Sequence, residues 1–316
     1  MRYLYQFIIL SCCIFSLNAY ASFNVFIDAL YWKATETLDW ALTNNWNTRN
    51  QDVDYQTFNP SFEPGYRIGI GYEGSWDTKL YYTRYQTKTD DSVNGHITSG
   101  YLAAKLTQSN PEVDYVFQSG QGELTIDYKM LDWNLGKRFN ATDYLMFRPI
   151  VGVEGGWINQ KIITHFQNAI PSAEAIHTSV AYPASTIETI HQHYKGIGPK
   201  AGIDSEFTFL ERDNYKLNLI ANFSSSYLWG HWELSDILHN SVDQTMEIVL
   251  DDRNFGAFTI QGLVGIGFDY KRLAMKLGYE FNDLFNQCQI FDDTTGSHAN
   301  DLILQGVTFE LSYSFS

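Results

Sequence analysis

The 316-residue chain contains few cysteines, few prolines and few basic residues. Cys12 and Cys13 lie near the N-terminus, and only Cys288 lies beyond residue 21. A chain cleaved after residue 21 can therefore form neither an internal disulfide nor a cysteine-based metal cluster. Lys and Arg number 21 against 36 Asp and Glu, for a formal charge of −15. This balance argues against nucleic acid as a partner, because phosphate binding needs a basic face.

Long hydrophobic runs are also missing. Beyond residue 21 the sequence has no run of 18 apolar residues, which excludes membrane-spanning helices there. The N-terminus itself combines Arg2, an apolar stretch over 7–17 and the small-x-small sequence 19–21. This layout predicts a signal peptide over 1–21 and one domain over 22–316. Two alternatives are weaker: a buried N-terminal helix, and a degenerate lipoprotein signal at the first cysteine, after which apolar residues continue.

Aromatic residues, by contrast, are abundant. The chain has 21 Tyr, 21 Phe and 8 Trp, while charged residues reach only 18%. Apolar residues alternate with polar or small ones through 272–281 and again through 307–315. A period of two places each set on one face of a β-strand. About ten such runs occur, at 23–33, 64–74, 78–88, 122–138, 143–161, 193–209, 214–232, 257–270, 272–281 and the C-terminal segment.

Short and long connections alternate between these runs. Tight turns rich in Gly, Asn and Asp lie at 74–77, 140–143, 211–214 and 269–272. Longer polar loops are predicted at about 45–62, 89–121, 167–190, 235–256 and 286–299. Outer-membrane barrels show this alternation because short turns face the periplasm and long loops face outside. We therefore predict an all-β protein, a transmembrane antiparallel up-and-down β-barrel of the bacterial outer membrane.

The predicted barrel has about 10 strands, and up to 14 if loop segments such as 112–119 and 243–250 add strands. Within 124–138 the apolar positions change face near Met130 and Leu131, which predicts a β-bulge. The final strand alternates apolar residues up to Phe315. That ending is similar to the signal read by the outer-membrane insertion machinery, which is a predicted partner.

Three segments of the sequence are similar to a known family. They are 26–34 (FIDALYWKA), 65–72 (GYRIGIGY) followed by Trp76-Asp77, and the run from Arg148-Pro149 to Trp157. The chain resembles the Legionella/chlamydia-type major-outer-membrane-protein-like pore-forming proteins over most of its mature length. The resemblance implies a pore in an outer membrane and implies no catalytic residue. The cysteine-rich loops of the chlamydial proteins are missing here, so a disulfide-linked surface layer is not implied.

If the apolar faces contact lipid, the opposite faces line the lumen. Charges are expensive in lipid, about 2–4 kcal/mol for Arg or Lys at the midplane, which favours the inward assignment. These charges either select ions in a water channel or pair across a filled lumen, since about eight strands leave room for side chains only. The predicted lumen-lining residues are Arg67, Glu73, Asp127, Lys129, Arg148, Glu154, Lys200, Asp204, Glu206, Lys276, Glu280 and Glu310.

Amphipathic aromatic residues are predicted to anchor the barrel at the membrane interfaces. For the three tryptophans among them, sugar stacking is the less favoured alternative. The predicted anchors are Trp157, Tyr227, Trp229, Trp232, Tyr279, Tyr313 and Phe315.

Enzymatic and metal sites receive weak support. An omptin-type protease needs acid pairs and an Asp/His couple at the rim, for which 90–91 and His231 with Asp236 are the candidates. A Ser/His phospholipase would have to use 224–226, which has no identifiable His partner. His191 and His193, with His165 or His177, match a metal site only by residue type. The sequence therefore predicts no enzyme, no catalytic residue, no metal and no cofactor.

The predicted function is porin-like passage of small hydrophilic solutes or ions, with a weak preference for cations given the acidic excess. The alternative is a non-conducting structural barrel or adhesin that acts through its extracellular loops. Outer-membrane lipid is an expected partner, and a homo-oligomer is an expected assembly.

Overall fold

Ten long antiparallel strands form the protein in the computed structural model, which describes residues 22–45, 52–101, 103–104, 115–171, 183–289, 291–292, 296–297 and 300–315. The strands are β1 (Ser22–Thr35), β2 (Phe62–Glu73), β3 (Asp77–Ser99), β4 (Tyr115–Gly136), β5 (Leu145–Pro171), β6 (Ser185–Arg212), β7 (Tyr215–Asn240), β8 (Thr245–Tyr270), β9 (Leu273–Cys288) and β10 (Asn300–Phe315).

Each strand pairs with the next along the chain, and β10 pairs with β1 to close the barrel. In that closing ladder Phe23 lies opposite Phe315, and Asp28 lies opposite Glu310. Because each of these ten strands then has two neighbours, the described barrel wall has no open edge. The predicted up-and-down barrel is confirmed, with ten strands. A search of the described residues for helices long and apolar enough to cross a membrane found none.

Side-chain alternation sorts each strand into an outer and an inner face. On β10, Val307, Phe309 and Leu311 are exposed on the outer face, whereas Thr308 is 3% exposed. The outer apolar band continues around the barrel, with Ile27, Ile197 and Val264 each more than half exposed. An exposed apolar face of this kind is stable only against lipid.

The strands are longer than a membrane requires. β2 has 12 residues but β6 has 28, whereas a tilted membrane strand needs about 9–11. Tight turns connect the strands at one end, and both described chain ends, Ser22 and Phe315, lie there. At the opposite end the barrel wall extends well beyond the apolar band, and that end is the extracellular one under the usual barrel orientation.

The predicted loops are therefore too long. Strand β3 runs to Ser99 and β4 begins at Tyr115, so most of 89–121 is barrel wall. Much of 167–190 likewise belongs to β5 and β6, and 235–256 is a strand hairpin closed by the turn at 241–244. The strand extensions were predicted as loops because they are rich in polar side chains. Outside the membrane neither face of a strand contacts lipid, so no regular apolar alternation marks the strand.

The remaining connections contain short strands. Between β1 and β2 the strands Asp39–Asn45 and Asp52–Thr57 form a hairpin, whose Leu42 pairs with Thr98 of β3. Phe139–Asn140 pairs with β5, and Phe291–Asp292 pairs with Gly296–Ser297 before β10. The segments 112–119 and 243–250 contribute, in their described parts, to β4 and β8 rather than to additional strands.

The β-bulge predicted near Met130 and Leu131 is wrong. From Gly120 to Gly136, all of it described, β4 keeps a continuous register with β5. Ile126, Tyr128 and Met130 all face inward and are at most 2% exposed. The apolar pattern changes face there because the lumen itself becomes apolar, not because the strand slips.

Candidate functional site

The barrel interior is the candidate site, and it contains ten of the twelve charged residues predicted to line it. They are Arg67, Glu73, Arg148, Glu154, Lys200, Asp204, Glu206, Lys276, Glu280 and Glu310. Asp127 and Lys129 instead lie on the outer face, between inward-facing Ile126, Tyr128 and Met130. There Lys129 Nζ bonds Asp127 Oδ2 at 2.6 Å. The prediction for these two failed because it assumed the bulge that the strand lacks.

Lys200 is the centre of a buried ion network in the lumen. Its Nζ donates to Asp132 Oδ1 at 2.5 Å, to Glu154 Oε2 at 2.8 Å and to Gln261 Oε1 at 2.6 Å. Ser226 Oγ donates to Glu154 Oε1 at 3.1 Å. The Lys200, Asp132 and Glu154 side chains are at most 2% exposed. Buried charges survive only when paired in this way, because each loses its hydration.

Arg67 forms a second network on the opposite wall. Its guanidinium donates to Asp28 at 3.0 Å and to Glu280 at 2.7 Å. Thr308 Oγ1 donates to Glu280 at 2.8 Å. The guanidinium reaches both oxygens of Glu280 through two of its nitrogens, at 3.3 and 2.7 Å, a bidentate geometry that a lysine cannot form.

Tyr81 connects the two networks. Lys200 Nζ lies 3.4 Å from the Tyr81 hydroxyl, and the Arg67 guanidinium lies 5.5 Å from the centre of the Tyr81 ring. The connected set, which we name the lumen belt, has one residue from each strand β1 to β10: Asp28, Arg67, Tyr81, Asp132, Glu154, Lys200, Ser226, Gln261, Glu280 and Thr308. Side chains thus reach into the lumen from the whole circumference and bond to one another.

Below the lumen belt, a charged vestibule opens at the periplasmic end. Its volume is about 750 Å³, and its walls include Lys79, Arg138 and Glu206. Arg148 donates to Asp204 at 2.7 Å, and Lys276 donates to Glu310 at 2.7 Å. Within the lumen belt the cavity narrows to about 110 Å³, which holds a few waters.

Above the lumen belt, an apolar plug fills the extracellular half of the barrel. It consists of inward side chains such as Tyr128 and Tyr194 together with Leu38, Trp40 and Phe58 from the β1–β2 connection. Trp40 stacks on Phe58 and on Phe166, with ring centres 6.0 and 6.1 Å apart. The apolar side chains of this cluster are at most 6% exposed, so we name it the dry plug.

Trp232 belongs to the dry plug and is not an interface anchor. It is fully buried, its ring lies 4.2 Å from Phe255 and 4.3 Å from Tyr194, and its indole N–H donates to the Gln287 carbonyl at 3.2 Å. Trp232 was predicted as an anchor because β7 also contains Tyr227 and Trp229, which are exposed on the outer face nearer the periplasmic end. The other predicted anchors are exposed on the outer face: Trp157, Tyr227, Trp229, Tyr279, Tyr313 and Phe315.

Glu36, at the start of the β1–β2 connection, is buried in the extracellular end. Gln160 Nε2 donates to both of its carboxylate oxygens, at 3.1 and 3.0 Å. Burial raises the pKa of Glu36 from 4.5 to about 8, an effect that the Gln160 hydrogen bonds oppose only in part. Folding therefore favours the protonated carboxyl.

We expect this carboxyl to make stability depend on pH. Because the folded pKa is raised, the stabilising contribution is complete below about pH 4.5 and is lost as pH rises through about 8. The maximum slope is about 1.4 kcal/mol per pH unit. Urea unfolding of the wild type and of Glu36→Gln at pH 5, 7 and 9 measures the difference. Identical pH slopes in the two proteins would contradict the assignment.

The rim residues do not assemble into a hydrolytic site. Asp236 faces inward and accepts from the Ala103 N–H at 3.1 Å, whereas His231 faces outward and lies 2.8 Å from Asn254 Oδ1. Asp91 accepts from the Trp40 indole at 3.0 Å. Ser226 bonds Glu154 within the lumen belt. A His and an Asp on opposite faces of one strand cannot activate the same water.

The histidines likewise do not gather into a metal centre in the part of the chain that is described. His191 and His193 stack with ring centres 6.0 Å apart on the outer face. Among the described residues no group of three or more His, Cys, Asp or Glu is placed to hold a metal ion. His177 lies outside the described residues.

Several residues of the lumen belt were not predicted from the sequence. Asp28 lies between Ile27 and Ala29, which face outward, so the alternation of side chains in β1 could have predicted that Asp28 faces the lumen. Asp132 was hidden by the supposed face change in β4. Tyr81, Ser226, Gln261 and Thr308 are uncharged and carry no signal that separates them from other inward polar residues.

Several solved outer-membrane barrels resemble the fold. A major outer membrane protein from Thermus thermophilus is 9% identical over 94% of this chain and 100% of that one, with a TM-score of 0.34. The outer membrane protease OmpT from Escherichia coli is 12% identical over 93% and 97%, with a TM-score of 0.40. The P. putida toluene transporter TodX is 10% identical over 94% and 90%, with a TM-score of 0.29.

A comparison with curated proteins found no match. The protein family described as Legionella pneumophila major outer membrane protein precursor matches residues 18–315. That range covers nearly the whole chain, including all ten strands and the residues of the lumen belt. The resemblance seen in the sequence is thereby confirmed, and the chain belongs to the Legionella major outer membrane protein family as an outer-membrane β-barrel.

Proposed function

We propose that the protein is a non-enzymatic outer-membrane barrel that is closed to solutes in its resting conformation and acts through its extracellular end. The lumen belt is the observation that supports this proposal most. Its ion pairs and hydrogen bonds, with the cation–π contact of Arg67 on Tyr81, join side chains from all ten strands, and the dry plug lies above it. A hydrated ion would have to separate buried pairs and then cross a packed apolar core, and both steps are costly.

The long extracellular wall supports the second half of the proposal. Strands β5 to β8 extend far above the apolar band, and the β7–β8 hairpin ends in an exposed turn at Ser241 and Asp243. Such a rigid wall can present its turns to the surroundings. Membrane lipid, the insertion machinery acting on the C-terminal strand, and further copies of the chain are proposed as its partners.

The porin-like function remains the second candidate. The charged vestibule favours it, because about 750 Å³ of polar space already leads from the periplasm to the lumen belt. A rearrangement of the dry plug and lumen belt would turn that vestibule into a narrow pore. The acidic excess of the chain, 36 Asp and Glu against 21 Lys and Arg, would then favour cations.

Planar-bilayer recording separates the two candidates. We expect the refolded chain 22–316 in symmetric potassium chloride to show no discrete current steps, because the lumen belt is continuous. A heat-shift on gel electrophoresis serves as the control that the barrel has folded. Reproducible steps with a cation-selective reversal potential would favour the porin-like function and contradict the closed barrel.

A further inference from the structure

The outer face of the barrel changes from apolar to charged within one cross-strand row. In register across β3 to β7, one row reads Tyr82, Leu131, Gly155, Ile197 and Trp229. The next row toward the extracellular end reads Arg84, Lys129, Trp157, Lys195 and His231. Charges avoid the hydrocarbon, so the headgroup level of the outer leaflet lies at this second row.

An apolar groove lies directly below that boundary. Gly155 has no side chain, and the space over it, about 440 Å³, is bordered by Leu131, Trp133, Trp157 and Ile197. The groove lies on the lipid-facing surface, and its polar end is Lys195. A groove open to the hydrocarbon with a cation at the headgroup level matches a lipid chain attached to an anionic headgroup.

The surface around this boundary is much less acidic than the whole chain. The boundary row and the two rows above it contain the cations Arg84, Lys88, Lys129, Lys161 and Lys195. The same rows across these five strands contain two acids, Asp127 and Glu233. Lys88 also pairs with Glu123 and Asp90 of the row above, so the five cations face four acids in all. This small positive excess in a chain of formal charge −15 favours an anionic partner at the boundary.

The two lysines nearest the groove each bond an acid on the outer face, and a phosphate would have to replace a carboxylate at both. Lys129 bonds Asp127 at 2.6 Å, with side chains 30% and 20% exposed. Lys129 and Lys195 flank Trp157 as its direct cross-strand neighbours, so their backbones are about 10 Å apart. Lys195 bonds Glu233 at 2.8 Å, and the two side chains are 59% and 49% exposed. Exposed pairs of this kind contribute little, and a phosphate can replace the carboxylate.

We propose that this groove and its cations bind a phosphorylated, multiply acylated glycolipid of the outer leaflet. One acyl chain lies in the groove over Gly155, and a phosphate bonds Lys129 and Lys195. A zwitterionic phospholipid could fill the groove with an acyl chain but would not neutralise the excess of positive charge. The phosphate therefore supplies the selectivity, and the groove fixes the position of the lipid.

The phosphate contact is tested with the refolded chain 22–316 in neutral detergent. Native mass spectrometry measures its dissociation constants for diphosphorylated lipid A and for the same lipid after dephosphorylation. We expect the double variant Lys129→Ala with Lys195→Ala to bind the phosphorylated lipid about 30-fold more weakly, from about 1 kcal/mol per lysine. Lys137→Ala, which removes a charge at the periplasmic turn, should bind as the wild type does.

The groove is tested by filling it. A Cβ at Gly155 has its nearest neighbours at 3.9 Å, so Gly155→Phe fits the fold and places its ring over the groove. We expect at least tenfold weaker lipid binding. Val151→Phe is the matched control, because Val151 is 58% exposed on the same face of β5 but does not border the groove.

Equal affinity for the two lipid forms, or unchanged affinity in the lysine or the groove variant, would overturn the proposal. Loss of chemical cross-linking between copies in Gly155→Phe, with lipid affinity unchanged, would instead assign the groove to a second copy of the chain.

Discussion

Lys200→Ala is expected to lower the free energy of unfolding by about 3–5 kcal/mol at pH 7. The substitution removes the only cation within hydrogen-bond distance of Asp132 and Glu154 among the described residues. Both carboxylates are at most 2% exposed, so neither can recover its hydration without moving. Urea unfolding of the refolded protein in micelles, followed by tryptophan fluorescence, measures the change.

Two further variants test whether the loss of stability comes from the buried charges. Lys216→Ala breaks an exposed pair with Glu211, whose side chains are 47% and 53% exposed, and should cost less than about 1 kcal/mol. Lys200→Met combined with Asp132→Asn and Glu154→Gln removes all three charges and should restore much of the loss. Equal urea midpoints for the wild type and Lys200→Ala would show that the network does not stabilise the barrel.

Trp232→Ala, at the other end of the lumen, is expected to lower the free energy of unfolding by about 3–5 kcal/mol. The indole is fully buried between Phe255 and Tyr194, and its removal leaves a cavity in the dry plug. The Gln287 carbonyl keeps its second donor, Gln192 Nε2 at 2.7 Å, so the loss reports mainly on packing. The same urea experiment measures it.

Trp229→Ala is the matched control on the same strand. Trp229 is 63% exposed on the lipid-facing side and contacts Tyr227 edge-on. Detergent or lipid fills the space left there, so no cavity forms and a clearly smaller loss is expected. If the two variants unfolded at the same urea concentration, the extracellular lumen would not be a packed core.

In the proposed closed barrel, the two regions would block the lumen by different means. The lumen belt would do so with paired charges, which tolerate a few waters, and the dry plug with aromatic packing. Charges at the level of the membrane need internal partners because lipid supplies none. Apolar side chains can fill the lumen above because Trp40 and Phe58 of the β1–β2 connection pack over them at the extracellular end.

The sequence predicted the parts of the fold that depend on local pattern. Alternation in 272–281 and 307–315 predicted outer and inner faces correctly, since lipid on one side demands apolar residues at every second position. Tight turns at 74–77 and 269–272 were found because their residue types are specific to turns.

The parts that failed depend on what lies inside the barrel. Asp127, Lys129 and Trp232 were placed on the wrong face because inward apolar residues such as Tyr128 and Leu234 imitate a lipid-facing pattern. Only the closed sheet shows that these residues meet one another across the lumen. Loop ends failed for a related reason, since a strand outside the membrane has no obligatory apolar face.

The modification rate of the Cys288 thiol tests the proposed closure of the lumen most directly. Cys288 is fully buried in the dry plug, and it is the only cysteine of the chain 22–316. A small charged methanethiosulfonate reagent should leave it unmodified in the folded barrel. The same reagent should rapidly modify Ser312→Cys, placed in the vestibule of a Cys288→Ser variant. Rapid labelling of Cys288 in the folded wild type would show that water and solutes enter the extracellular lumen, and would contradict a closed barrel.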